Sequence, residues 1–245
     1  GFTVIMDYYR DSEDGQAQAD LNRLMDGTFS NQEAGMPEGT VHSELLRRPG
    51  KLYVLASHFH PDHFNKEVLQ WREQRPDIIY IFSKDILRHR RAQKEDAVWL
   101  KKGEEYKDET LSVRAFGSTD VGVSFLLQAS GKKIFHAGDL NNWHWMDEST
   151  EAEWKGAEKN FLHELDDLYA YTPEVDVAMF PVDPRLGKEY MRGAGQFVTK
   201  IKTHIFVPMH FTPEYAKANA FRDFAEAHGV RFVSLTHRGQ KIEIE

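Results

Sequence analysis

The fold is decided by a stretch of six residues, His58-Phe59-His60-Pro61-Asp62-His63. Alternate side chains of a β-strand share one face, so the first two histidines point the same way if a strand reaches them. Pro61 cannot continue a central strand, so we expect a turn that brings the aspartate and the last histidine to the same rim. Imidazole nitrogens and carboxylate oxygens are ligands of Zn²⁺ and similar divalent ions. The pattern predicts a metal site; the alternative is a polar surface turn that happens to hold histidines.

The flanking sequence is typical of an active-site loop in an α/β protein. Residues 51–57 are mostly apolar and predict a buried strand that ends at the motif. Residues 64–71 predict a helix that leaves the motif, with Phe64, Val68 and Trp71 at helical spacing. The motif therefore lies at the carboxyl end of a strand, where α/β proteins commonly bind their ligands.

The motif and three further segments resemble the metallo-β-lactamase-fold hydrolases. Thr3-Val4-Ile5-Met6-Asp7 resembles the family's early strand, whose Asp supports the metal loop. Phe135-His136-Ala137-Gly138-Asp139 resembles the strand ending in Gly-Asp, and Phe206-Val207-Pro208-Met209-His210 resembles a late strand ending in a ligand histidine. The four segments occur in the family's order and span nearly the whole chain. The resemblance implies a four-layer αββα sandwich of the α/β (α+β) class.

This resemblance also implies a ligand set and a chemistry. One or two divalent ions, with Zn²⁺ the first expectation and Mn²⁺ an alternative, would be held by His58, His60, Asp62, His63, Asp139 and His210. The carboxylate of Asp139 would bridge two metals. Asp139 and Asp62 would be the catalytic residues, because they would orient a metal-activated water and accept its proton.

One segment departs from the family pattern. Most family members have a further ligand histidine between the motif and the Gly-Asp strand, but residues 115–125 contain no His. Ser118 or Thr119 stands in that place, and Asp120 is close by. A carboxylate is a good ligand and a neutral hydroxyl is a poor one. The first metal position, on His58 and His60, is therefore either weakened or completed by Asp120 or water.

Three other side chains are candidates for a supporting role or for direct ligation. Asp7 would support the metal loop, as the resemblance implies. His136 lies three residues before Asp139, so in a regular strand it faces away from the bridging carboxylate, and support or core packing is favoured over ligation. Asp183 could accept a hydrogen bond from a ligand histidine.

Four residues are candidates for substrate binding. Trp143 and His144 follow the Asp139 strand and could wall a pocket, or they could belong to a loop that plugs the sandwich. Arg185 and Arg192 follow another strand and could hold an anionic group, since guanidinium forks suit carboxylates and phosphates. Ordinary surface ion pairs are the alternative for both arginines.

The element pattern agrees with the implied sandwich, with strands early and late and helices between them. We predict one domain over residues 1–245, although its abrupt start suggests that residues are missing at or near that end. Residues 11–40 predict a loop with a helical piece over 16–25. The other predicted helices cover 41–47, 84–91, 151–168, 193–202 and 213–228. Beyond the strands already described, we predict strands at 77–82, 111–116, 121–128, 133–136, 175–181, 204–209, 231–235 and 240–244.

Composition narrows the class of protein. Hydrophobic residues at 40% and charged residues at 29% are normal for a globular protein, and the lack of Cys excludes disulfides and thiolate ligands. A net charge of −8 without a basic stripe argues against a nucleic-acid partner. No apolar run is long enough to span a membrane. We expect a cytoplasmic protein with a small-molecule substrate; a homo-oligomer is left open.

The functional prediction is a metal-dependent hydrolase of a small, anionic lactone, ester or amide. Within the superfamily, the sequences of residues 136–139 and 208–210 most resemble those of the ascorbate-6-phosphate lactonase-like branch. A phosphodiesterase or nuclease on the same scaffold is an alternative, because the same metals serve phosphoryl transfer. A metal-dependent metabolite-binding protein that has lost catalysis is another.

Overall fold

The computed structural model describes residues 1–9, 46–211, 213–237 and 239–244. The loop predicted over 11–40 lies outside these residues, as does most of the helix predicted over 41–47. The described residues form two β-sheets with helices on their outer faces. This is the mixed α/β sandwich that the sequence predicts.

The smaller sheet is entirely parallel. Its four strands have the order β1 to β4, and their bounds are β1 Phe2–Met6, β2 Lys51–Ala56, β3 Ile79–Ser83 and β4 Val98–Leu100. Strand β2 alternates between two environments, as period-two geometry requires. Tyr53 and Leu55 enter the apolar core between the sheets, while Leu52, Val54 and Ala56 pack toward the outer helices. A strand buried on both faces explains why 51–57 is nearly continuous in apolar residues.

The larger sheet is mixed and has the order β11-β10-β9-β8-β7-β6-β5. Strands β5 to β8 are antiparallel neighbours, whereas β8 to β11 run parallel to one another. Its strands are β5 Glu105–Lys107, β6 Ser112–Phe116, β7 Ser124–Ala129, β8 Lys132–His136, β9 Glu174–Pro181, β10 Lys202–Met209 and β11 Arg231–Phe232.

Helices cover the outer face of each sheet. Phe161, Leu165 and Leu168 of the longest helix join the aromatic core against the larger sheet. Thr150 begins that helix with a capping box, in which its hydroxyl and the Glu153 side chain each bond to the other's backbone N–H. The α-helices are α1 Lys84–Arg88, α2 Glu151–Tyr171, α3 Arg192–Lys200, α4 Tyr215–Asn219 and α5 Arg222–Ala227, and 3₁₀ helices cover Lys66–Glu73, Lys94–Asp96 and Pro184–Glu189.

Several element predictions need correction. The helix predicted over 213–228 is two helices, because the Phe221 N–H bonds to Ala218 O, three residues back, and tightens the turn there. The helix after the motif is a 3₁₀ helix over Lys66–Glu73. No strand forms at residues 240–244, where Ile242 instead packs against the small cluster of Val177, Ile205 and Val233. Strands β4 and β5 are too short to show a pattern in the sequence.

No helix in the described part of the chain has the length and apolar character needed to cross a membrane.

Candidate metal centre

The site forms where the carboxyl ends of five strands meet. Strands β1 and β2 are parallel in one sheet, and β8, β9 and β10 are parallel in the other. The residues that follow these strands therefore gather at one edge of the sandwich. They are Asp7 after β1, the motif after β2, Asp139 after β8, Asp183 after β9 and His210 after β10.

The motif turns as Pro61 predicts. His60 O accepts hydrogen bonds from the backbone N–H groups of His63 and Phe64, at 3.0 and 2.9 Å. This tight turn returns the chain on itself and places Asp62 and His63 on the rim already occupied by His58 and His60. Backbone geometry elsewhere on the rim is unusual, because Asp7 and His210 have positive φ angles of 48° and 63°. Such conformations in residues other than glycine cluster at functional sites.

The first group of metal-competent atoms contains His58, His60, Asp120 and Asp139. One ligand atom from each of these residues lies within 4.8 Å of the others. His58 Nε2 is 3.0 Å from His60 Nδ1 and 3.3 Å from Asp139 Oδ2. Asp120 Oδ2 lies 3.7 Å from His60 Nδ1. These atoms could hold one divalent ion.

The second group contains Asp62, His63 and His210, and it adjoins the same Asp139. His63 Nε2 lies 3.4 Å from Asp62 Oδ2 and 3.1 Å from Asp139 Oδ1, and His210 Nε2 lies 3.4 Å from Asp139 Oδ1. The two oxygens of Asp139 thus face different groups, Oδ2 the first and Oδ1 the second. This is the arrangement of a carboxylate that bridges two ions.

Asp139 also supplies the test of whether this set of residues fits metal ions. Its Oδ1 atom is buried and accepts no hydrogen bond from the described residues, although His63 Nε2 and His210 Nε2 lie 3.1 and 3.4 Å away. A buried carboxylate oxygen without a partner is costly, and a divalent cation would satisfy it. Four imidazoles and three carboxylates, with no thiolate, form a donor set that suits Zn²⁺, Mn²⁺ or Fe²⁺. The residues therefore fit two divalent ions.

The electrostatics show a site built for positive charge. Burial by itself would raise the pKa of the Asp139 carboxyl, but His58 and His63 beside it hold that pKa well below its usual range. Burial would lower the pKa of His63, yet the neighbouring carboxylates of Asp139, Asp62 and Asp7 raise it to about 12. Three carboxylates around one imidazole thus keep a positive charge there when no metal is bound.

Asp7 orients two of the ligand histidines from behind. Its carboxylate accepts hydrogen bonds from Ser57 N at 2.7 Å and Ser57 Oγ at 2.6 Å, and His63 Nδ1 lies 2.8 Å from it. Ser57 Oγ in turn lies 3.0 Å from His58 Nδ1. Both imidazoles therefore have Nδ1 engaged behind the site and Nε2 directed toward the two groups of ligand atoms, which is how outer partners orient a ligand. His136 Nδ1 is 3.8 Å from Asp7 and accepts the Gly138 N–H, so it lies behind the ligand groups.

Asp183 plays the same part for His210. Its buried carboxylate lies 2.9 Å from His210 Nδ1 and also receives a fork of hydrogen bonds from Arg185. Burial would raise the pKa of Asp183, but His210 and Arg185 lower it to about 2. The geometry agrees with the predicted role of Asp183 as the acceptor behind a ligand histidine.

Of the three residues in the segment that lacks histidine, only Asp120 reaches the ligand atoms. The Thr119 hydroxyl donates to Asn141 O at 2.5 Å and accepts from Asn141 N at 3.0 Å. Ser118 Oγ accepts a long bond of 3.4 Å from the Asp120 backbone N–H. Thr119 therefore ties the segment to the Asp139 loop, and Asp120 extends toward His60.

Of the two aromatic residues predicted to contact the substrate, Trp143 lies at the candidate centre and His144 does not. The Trp143 ring lies 5.5 Å from the His210 ring, and Trp143 Nε1 donates to Asp139 O at 2.8 Å. His144 is buried, with Nε2 3.1 Å from Glu189 O and Nδ1 accepting the Met146 N–H, so it belongs to a packed loop.

The two arginines also differ. Arg185 is half exposed beside the centre, and the charges of Asp139 and Asp62 contribute to its raised pKa after the hydrogen bonding to Asp183. Arg192 instead pairs with Glu158, with 2.7 Å between Nε and Oε1. The structure thus brings Trp143 and Arg185 to the site and leaves His144 and Arg192 outside it.

Ser57 is a residue of the candidate centre that the sequence analysis did not single out. It links Asp7 to His58, and its backbone O accepts the Val123 N–H at 3.0 Å. Its only signal in the sequence is its place directly before the motif.

Comparisons with known proteins identify the family. Residues 40–211 match the family model described as the β-lactamase superfamily domain. A search of curated protein sequences gives no match. The chain belongs to the metallo-β-lactamase superfamily, and this membership places it among metal-dependent hydrolases, the class that the sequence pattern predicts.

Several solved structures share the fold at low sequence identity. A possible metal-dependent hydrolase from Veillonella parvula has a TM-score of 0.57 and 12% identity, and the match covers 97% of this chain and 91% of that one. The metallo hydrolase Igni18 from Ignicoccus hospitalis has a TM-score of 0.53 and 16% identity over 78% of each chain. The metallo-β-lactamase fold protein YhfI from Bacillus subtilis has a TM-score of 0.52 and 11% identity, over 77% of this chain and 76% of its own. These likenesses support the fold.

Proposed function

We propose that this protein hydrolyses a small anionic lactone, ester or amide with the help of two divalent metal ions. The observation that carries the proposal is the position of Asp139. Its two carboxylate oxygens face two separate groups of ligand atoms, and the oxygen toward the second group is buried and accepts no hydrogen bond from the part of the chain that the structure describes. Such a bridge between paired ions is the arrangement used to activate water in hydrolysis.

The ions would be held by His58, His60, Asp139 and a further ligand at the first position, and by Asp62, His63, Asp139 and His210 at the second. When bound, divalent ions lower the pKa of a coordinated water to about 7 and polarise a carbonyl or phosphoryl oxygen. Zn²⁺ is the expected ion on the resemblance, with Mn²⁺ the alternative.

Asp62 is placed to move a proton in this chemistry. Its side chain is 57% exposed, so it faces the open side of the centre, where a substrate would enter. Burial raises its pKa, but hydrogen bonding and charge from His63 outweigh this and lower it, so the carboxylate is ionised at neutral pH. It can therefore accept a proton on the substrate side, while Asp139 stays fixed between the two ligand groups.

Arg185 supports an anionic substrate. Two of its guanidinium nitrogens bond to Asp183, but the side chain remains 58% exposed at the edge of the centre. A guanidinium held by a buried carboxylate is a fixed positive charge, suited to a carboxylate or phosphate on the substrate. Trp143 beside His210 provides an apolar wall for the rest of the molecule. Within the superfamily we place the chain nearest the ascorbate-6-phosphate lactonase-like branch, as a cytoplasmic enzyme without a nucleic-acid partner.

The test is turnover of a substrate panel by metal-loaded protein. The panel contains lactones, esters and amides, each as a neutral and an anionic member, together with a generic phosphodiester. We expect cleavage of an anionic carbonyl compound and its loss in Asp139→Asn, with metal content measured in both proteins. Asp223→Asn, an exposed helical aspartate, is the matched control. Cleavage of the phosphodiester alone would favour the phosphodiesterase alternative, and tight metabolite binding without turnover would favour the binding protein.

A further inference from the structure

We infer that Asp120 is the ligand that completes the first metal position, and that it gives the two positions the same donor set and a preference shifted toward Mn²⁺. This assignment rests on the proposed two-metal hydrolase. It concerns a residue at which the chain departs from the family pattern, since residues 115–125 contain no histidine.

The hydrogen bonds of Ser118 and Thr119 are made away from the ligand atoms, which leaves Asp120 as the candidate ligand among these three residues. The Thr119 hydroxyl donates to Asn141 O and accepts from Asn141 N, so it is directed at the Asn141 backbone. Ser118 is turned back on its own segment, toward the Asp120 N–H. Within the described residues, the Asp120 carboxylate has no cationic partner except His60, whose Nδ1 lies 3.7 Å away. A carboxylate held near two imidazoles and a bridging carboxylate, and committed to no other bond, is free to bind an ion.

The backbone holds Asp120 at that place from both sides. Thr119 fastens the segment to the loop that carries Asp139. On the other side, Gly122 has a φ of +76° and lies directly against Ser57 and His58, so that a Cβ there would collide with Ser57 O and His58 Cβ. Asp120 thus lies between two attachments, one to each loop that supplies the other ligands. Its position is built into the fold, although its side chain is 45% exposed.

The numbers of imidazole and carboxylate ligands at each position indicate which metal ion it prefers. With Asp120 the first position has two imidazoles and two carboxylates, and the second position has the same count in His63, His210, Asp62 and the shared Asp139. A histidine in place of Asp120 would give the first position three imidazoles and one negative charge fewer. Oxygen ligands suit Mn²⁺, whereas imidazole suits Zn²⁺ and its neighbours in the Irving–Williams order. The exposed side of Asp120 also leaves room for water, which a six-coordinate ion needs.

The experiment measures metal binding without reference to turnover. Wild type, Asp120→Asn, Asp120→His and Ser118→Ala are freed of metal and titrated with Mn²⁺ and, separately, with Zn²⁺. Calorimetry gives the affinities, and electron paramagnetic resonance reports magnetic coupling between paired Mn²⁺ ions. Ser118→Ala is the control because it changes the neighbouring side chain and leaves the carboxylate. Unfolding curves of the metal-free variants verify that each one folds.

We expect two Mn²⁺ per chain, magnetically coupled, in wild type and in Ser118→Ala. Asp120→Asn should weaken the first position by at least about 10- to 100-fold, the loss that even an outer partner of a ligand causes, and should abolish the coupling. Asp120→His should raise the ratio of Zn²⁺ to Mn²⁺ affinity at that position. Coupled Mn²⁺ pairs of unchanged affinity in Asp120→Asn would overturn the assignment and leave the hydrolase intact. Wild type that binds no metal would overturn both. The substrate panel is a separate measurement, and its failure with protein that holds two ions would refute only the hydrolase.

Discussion

At the scale of single residues, the centre depends on carboxylates that lie behind the ligands. Asp7 engages His63 directly and His58 through Ser57, and Asp183 engages His210. In each imidazole the nitrogen away from the centre is occupied, which fixes the ring orientation and leaves Nε2 for an ion. Arg185 also forms an ion pair with Asp183, and so it connects the carboxylate behind His210 with the side of the centre that we propose binds the substrate.

The support of His210 by Asp183 can be tested with one substitution. Asp183→Asn keeps the shape of the side chain but removes the charge that holds His210 and Arg185. We expect the metal affinity of the second position to fall by about 10- to 100-fold, while the first position is little changed. Competition with a chromophoric chelator measures both affinities, and Asp223→Asn again serves as the control. Equal losses at the two positions, or none, would contradict this role.

At the scale of elements, the loop of residues 117–123 is positioned by close backbone approach. Gly122 combines a positive φ with contact against Ser57 and His58, and Val123 N donates to Ser57 O. Only glycine fits both demands. The hairpin turn between β7 and β8 offers a natural comparison, because Gly131 has nearly the same φ, +75°, and no atom of the described residues lies within 4 Å of a Cβ added there.

Gly122→Ala should therefore cost much more than Gly131→Ala. Gly131→Ala introduces only the unfavourable backbone angle and should lower the free energy of unfolding by about 1 kcal/mol. Gly122→Ala adds a collision with Ser57 and His58 and should lower it by about 2 to 4 kcal/mol. Urea unfolding of metal-free protein gives both values. If the two variants lose the same stability, the loop relaxes without strain, and the close approach does not position Asp120.

The opposite end of the two sheets is joined by another carboxylate. Asp108 accepts hydrogen bonds from Lys51 Nζ and Tyr53 OH of β2, at 2.8 and 2.7 Å, and from Tyr106 OH of β5 at 3.0 Å. The backbone N–H groups of Thr110 and Leu111 also donate to it. Burial would raise the pKa of Asp108, but Lys51 and these other donors hold it well below its usual range. One carboxylate thus links a strand of each sheet.

Asp108→Asn should destabilise the fold by about 2 kcal/mol at pH 7, since bonds to a charged acceptor are lost or weakened. Because the folded pKa is depressed, this stability is complete above the pKa of unfolded Asp, about 4, and is lost as pH falls further. The difference between wild type and variant should therefore shrink below pH 4. Urea unfolding at several pH values measures it, with the same substitution at the exposed helical residue Asp223 as control. A difference independent of pH would contradict a charged acceptor.

At the scale of the whole molecule, the strand ends and the main ligands follow from local sequence. The motif turn depends on Pro61, and the strands before Asp139 and His210 are apolar runs that end in polar residues. Parallel pairing then brings those ends together. The sequence could not separate Ser118, Thr119 and Asp120, because their orientation depends on Asn141 and Ser57, which are distant in the chain. The Asp108 link joins residues more than 50 positions apart and leaves no local pattern.

Two of the residues predicted to bind substrate do not reach the site. His144 and Arg192 lie in segments adjacent to the centre, but each finds a nearer partner, Glu189 O for the imidazole and Glu158 for the guanidinium. Arg185 follows the same strand as Arg192 and reaches the centre because Asp183, which it holds, is itself bonded to His210. Closeness in sequence to a residue of the centre therefore does not determine whether a side chain reaches the centre or binds another partner.

Whether two divalent ions share Asp139 can be determined by counting the ions that the protein binds. Inductively coupled plasma mass spectrometry would count the ions in wild type and in Asp139→Asn, each saturated with Mn²⁺ or Zn²⁺ and freed of excess. We predict two ions per chain in wild type and at most one in Asp139→Asn, because both positions lose their shared ligand. Wild type without bound metal at saturation, or two ions retained in Asp139→Asn, would contradict the bridged centre.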